Sequence, residues 1–68
     1  MAKKLNQDQY WELDTAMNEV IENSNDYGVA NGAHYLLIAT LNNIGYKNVG
    51  RQEAMELAGE LLSEGYNV

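Results

Sequence analysis

Cysteine and proline are absent from the 68 residues, and only Lys3, Lys4, Lys47 and Arg51 carry a positive charge. Each shortage closes off a class of function. Without cysteine there is no disulfide framework, no thiolate zinc site and no thiol nucleophile. Without proline, nothing interrupts a helix from within. Four cations are too few to build a basic patch for nucleic acid or for an anionic membrane. A long apolar run is missing too. The uncharged stretch from Tyr27 to Tyr46 contains Gly28, Asn31, Gly32, His34, Asn42, Asn43 and Gly45, which hydrocarbon would penalise, so it reads as a buried helix. The opening Met-Ala-Lys-Lys-Leu-Asn-Gln-Asp has a basic start with no apolar core behind it and does not read as a signal peptide. The expectation is a soluble, cytoplasmic protein that touches neither nucleic acid nor membrane directly.

What is present is an ordinary apolar fraction, 46%, and ten acidic residues that leave a net charge of −6. A chain this short buries only roughly 60% of its surface on folding, so its stability margin is small. That favours one acidic domain over residues 1–68, without a large pocket. Helical periodicity predicts three helices at about 6–25, 31–44 and 48–64, an all-α antiparallel three-helix bundle. Tyr10, Leu13, Met17, Val20 and Ile21 form the apolar stripe of the first helix. Tyr35, Leu36, Leu37, Ile38, Ala39, Leu41 and Ile44 cover nearly the whole circumference of the second, which places it centrally in the bundle. Ala54, Leu57, Ala58, Leu61 and Leu62 face inward from the third.

Local signals support these limits. Asn6 and Gln9 have the spacing of a capping box, with Leu5 and Tyr10 placed as a hydrophobic staple. Leu41 to Tyr46 and Leu61 to Tyr66 each end in Gly-Tyr, placing glycine at the left-handed position of a Schellman ending and tyrosine where it can pack on the leucine. Leu41-Asn-Asn-Ile44-Gly45-Tyr46, followed by Ala54 and Leu57-Ala58, also resembles the Met-Gly-Phe/Tyr loop of ubiquitin-associated domains, which joins the first two of three helices and contacts ubiquitin. Here the likeness spans residues 41–58, the gap from Tyr46 to Ala54 is longer, and one helix follows instead of two, so no function is carried over from it.

Chemistry-bearing constellations are sparse. The hydroxyls Ser24, Ser63, Thr15 and Thr40 have only His34 as a general base of imidazole type, and three short helices provide little cleft for them to meet in. The segment Asn23 to His34 has the length of an EF-hand loop, with Gly28 at the sixth position. It has Asn23 first, Tyr27 fifth and His34 last, where calcium requires carboxylates. No enzyme, metal or cofactor is expected.

The acids are arranged in lines. At ~100° per residue, Asp8, Glu12, Glu19, Glu22 and Asp26 fall near one line on the first helix, and Glu53, Glu56, Glu60 and Glu64 near one line on the third. Neither line contains a cation. Asp8/Glu12, Glu22/Asp26, Glu56/Glu60 and Glu60/Glu64 are like-charge pairs four apart, and Glu19/Glu22 and Glu53/Glu56 are three apart. At ~0.2–0.5 kcal/mol each, these pairs together destabilise the helices by roughly 1–3 kcal/mol. Acids near the helix C-termini also oppose the dipole.

Such rows serve either as a solvated face that maintains solubility or as a surface complementary to a basic partner. Their ~6 Å step approaches the charge spacing of a nucleic-acid strand. The charge pattern resembles that of small DNA-mimic inhibitors, including anti-restriction and anti-CRISPR proteins of phages. Trp11, at the border of the apolar and acidic sides, either seals the core edge or anchors a partner. The sequence therefore predicts a non-catalytic inhibitor that occupies a basic, nucleic-acid-binding surface of another protein through Asp8, Trp11, Glu12, Glu19, Glu22, Asp26, Glu53, Glu56, Glu60 and Glu64. The alternative is an assembly module that forms a homodimer through apolar surface around Trp11.

Overall fold

Asn6 and Gln9 close the start of the first helix reciprocally. The Gln9 N–H donates to Asn6 Oδ1 at 2.8 Å, and the Asn6 N–H donates to Gln9 Oε1 at 3.0 Å. In the computed structural model, which describes residues 5–66, this helix is α1 (Gln7–Glu22), followed by α2 (Tyr27–Ile44) and α3 (Arg51–Glu64). Each helix packs on the other two, and the described residues contain no strand, so the fold is a small three-helix bundle. Short connections make neighbouring helices antiparallel. None of the helices is long and apolar enough to cross a membrane.

The expected limits shift at three places. α1 stops at Glu22, three residues before the predicted end, because the Asn23 amide replaces the missing cation there, donating to Glu19 O at 2.9 Å. α2 begins four residues earlier than predicted. Asp26 is its N-cap, and its carboxylate accepts the Val29 N–H at 3.2 Å. Gly28, expected to break the chain, lies in the first turn of α2, where amide groups have no intrahelical partner to lose. α3 begins at Arg51 and not at Asn48, whose φ of 62° is left-handed. Its N-cap is Gly50, whose N–H is bonded by the Glu53 carboxylate at 3.2 Å.

The core is built from Leu5, Leu13, Leu37, Leu41 and Leu61, with Val20 and four alanines, Ala16, Ala33, Ala54 and Ala58. Alanine at these contacts lets the helix backbones approach closely. Tyr10, Tyr46 and Tyr66 close the margins of this core. α2 is not enclosed on all sides. Tyr35 is 70% exposed and Leu36 50% exposed, because two neighbours cannot cover the circumference of a helix.

The two Gly-Tyr endings also diverge. After α2 the Tyr46 N–H reaches Leu41 O at 2.9 Å and the Gly45 N–H reaches Asn42 O at 3.1 Å, a complete Schellman pair. After α3, Gly65 has φ 79° and ψ −152° and sends the chain out extended. Tyr66 then forms a parallel β-bridge with Leu5, and its ring stacks obliquely on Tyr10 with centroids 5.0 Å apart.

Candidate protein-binding surface

Four of the five acids expected on the first helix, Asp8, Glu12, Glu19 and Glu22, are exposed on α1. Asp26 is not on that helix. It caps α2, so Glu22/Asp26 is not a helical pair and Asp26 complements a helix dipole instead of opposing one. Glu53, Glu56, Glu60 and Glu64 are all exposed on α3. Among the described residues no acid is held in an ion pair. Glu19 accepts a side-chain bond from Asn23, Asp26 accepts from Val29, and Glu53 accepts from Gly50. Asp8, Glu12, Glu22, Glu56, Glu60 and Glu64 have no partner among the described residues. Lys47 and Arg51 are exposed, and Lys3 and Lys4 lie outside the described residues.

The two rows border different hollows. On the α1 side, Trp11, Glu12 and Thr15 face Leu36, Thr40 and Asn43 of α2 across an open groove of about 430 Å³. The four-residue turn at 23–26 fixes this pairing by setting the antiparallel register. Trp11 is 55% exposed and does not seal the core. The Thr15 and Thr40 hydroxyls donate to the carbonyls of Trp11 and Leu36, each at 2.8 Å. With both hydroxyl protons committed, Glu12, Asn43 and the Trp11 indole N–H are the polar groups of the groove without a bond among the described residues. On the α3 side, Glu53, Glu56 and Glu60 line a second groove of about 330 Å³ with Tyr46, Val49 and Leu57. Those three apolar residues are already half-buried against the core.

His34 lies two turns into α2, half-buried, beside a hollow of about 90 Å³ shared with Asn31, Tyr35, Ile38 and Arg51. Its buried Nδ1 has no hydrogen-bond partner among the described residues. The hydroxyls are elsewhere: Thr15 and Thr40 line the α1–α2 groove, and Ser63 bonds Glu60 O at 2.9 Å. The EF-hand-length segment is helical from Tyr27 onward and forms no loop. No group of three or more histidines and carboxylates among the described residues is placed to hold a metal.

Leu36, and with it the groove, escaped the sequence reading, which placed this side of α2 indoors. The signal was available in the short turn, whose register sets Thr15 and Trp11 opposite Leu36 and Thr40. Comparison with protein-family models, curated proteins and solved structures finds no match to this chain.

Proposed function

We propose that this protein is a non-catalytic binding module of the cytoplasm that occupies a basic surface on another protein, and in the sharpest form a nucleic-acid-binding groove that it thereby inhibits, in the manner of a phage DNA mimic. One observation carries the reading: six exposed carboxylates without an ion-pair or hydrogen-bond partner among the described residues, set in rows on two helices. Mixed Lys/Glu surfaces reward a helix through i,i+4 attraction, whereas these rows set like charges side by side. In so small a domain that arrangement is best explained by cations that arrive with a partner.

The test is association kinetics with a partner captured at low salt, measured over a range of ionic strength with and without competing DNA or RNA. The on-rate should fall steeply with salt while the off-rate changes less, since peripheral charges act mainly on encounter. Nucleic acid should compete. A salt-independent on-rate without competition would reject the reading. A second reading, self-assembly, is favoured by the exposed Trp11, Tyr35 and Leu36. Sedimentation of the isolated protein over a range of concentration separates the two.

A further inference from the structure

Resting on the binding role proposed above, we infer that the α1–α2 groove receives the apolar anchor of the partner, and that the element seated there is an amphipathic basic helix. The groove holds large apolar side chains that the fold leaves uncovered, since Trp11 is 55% and Leu36 50% exposed while neighbouring Leu37 is fully buried. Its two walls differ in charge. The α1 wall contributes Glu12, and Asp8, Glu19 and Glu22 follow the same side of that helix. The α2 wall carries no Asp, Glu, Lys or Arg over all 18 residues of its helix.

A complementary ligand therefore has an apolar ridge, cations along one edge and an uncharged opposite edge. From Asp8 to Glu22 the acidic edge extends about 20 Å, which is about four turns of a partner helix at ~5.4 Å per turn. A second copy of this chain would bring acids against acids along the same edge. The α3 groove is the weaker seat for an anchor, because Tyr46, Val49 and Leu57 are already half-buried.

Trp11 is the only tryptophan, so its emission reports on this groove directly. The probes are three synthetic peptides of equal length: leucine and lysine in an amphipathic pattern, lysine and serine with the same charge, and leucine and glutamate. The leucine–lysine peptide should shift Trp11 emission to the blue and shield it from acrylamide, and the leucine–glutamate peptide should do neither. Leu36→Ser should weaken that binding about tenfold, as loss of a central apolar contact does. Glu12→Lys should weaken it while leaving the apolar floor intact, and Glu56→Gln with Glu60→Gln should weaken it less, through long-range charge alone, with the Trp11 emission shift kept. Circular-dichroism melts verify that each variant folds.

Equal binding of the lysine–serine peptide without an emission shift would overturn the groove and leave the acidic-surface reading standing. Failure of both cationic peptides to bind would overturn both. Loss of binding in the α3 variant but not in Leu36→Ser would move the anchor to α3. An emission shift that follows protein concentration alone would assign the face to self-association. Each of these last two results rejects the inference.

Discussion

Neutralising the α3 carboxylates should make this protein more stable and a poorer binder. The perturbation is Glu56→Gln, Glu60→Gln and Glu64→Gln together, with Glu53 retained because it bonds the Gly50 N–H at 3.2 Å. The change removes three like-charge contacts, Glu53/Glu56, Glu56/Glu60 and Glu60/Glu64, at ~0.2–0.5 kcal/mol each. Glu64 is the last residue of α3, with no cation in that turn. Its removal from the negative end of the dipole adds ~0.3–1 kcal/mol. Glutamine and glutamate differ little in helix propensity, so no opposing change is introduced. The sum is about 1–2.5 kcal/mol at low salt, which for a domain of this size raises Tm by roughly 4–20 °C. Thermal melts followed by circular dichroism measure it. In 1 M salt, where the screening length falls to ~3 Å, the advantage should largely vanish. A lower Tm for the triple variant at low salt would show that these acids hold the fold together and would refute the reasoning.

Asp26 should respond in the opposite sense to its neighbours in the sequence. Asp26→Ala removes the α2 cap and should cost ~1 kcal/mol in denaturant titration, while Asp26→Asn, an equally good cap, should be nearly neutral. Leu36 and Leu37 are adjacent and unequal: Leu37→Ala should cost ~2–5 kcal/mol as a core cavity, and Leu36→Ala under about 1 kcal/mol. Gly65→Ala should cost ~1–3 kcal/mol, since its φ 79°, ψ −152° region is almost exclusive to glycine and Tyr66 beyond it is docked on Tyr10 and Leu5. Nothing lies within 4 Å of a Cβ at Gly65 or Gly45, so both losses would be purely backbone strain. Comparable losses at the two sites are expected in thermal melts, and a negligible one at Gly65 would mean that Tyr66 is not held.

Features that were legible in the sequence are those completed within a few residues. The Asn6–Gln9 box and the Gly45–Tyr46 ending each close over three to five residues, so side-chain chemistry alone determines them. Misreadings arose where one residue type serves two purposes. Asp26 continues an acidic line when projected on a helix, yet its carboxylate is worth more as a cap. Asn48 looks like a helix start, but asparagine also tolerates the left-handed region in which it lies, and the Gly50-to-Glu53 spacing was the better signal. Periodicity alone did not show the exposed face of α2, because it describes a helix without saying how many neighbours it will have. The acidic rows could be read directly, while their apolar centre required the register between α1 and α2.

The bridge between Leu5 and Tyr66 also bears on the order of events in folding. It joins groups about sixty residues apart in the chain, whereas the α1–α2 contacts close across one short turn. Loop-closure entropy rises with the length enclosed, so this contact is the last to become favourable and should be absent from the rate-limiting barrier. An interaction formed after the barrier governs the exit from the native state and barely affects entry to it. Tyr66→Ala should therefore accelerate unfolding in stopped-flow measurements while leaving the refolding limb almost unchanged. The Leu5–Tyr66 bridge would then act as a latch that determines how long a molecule, once folded, stays folded.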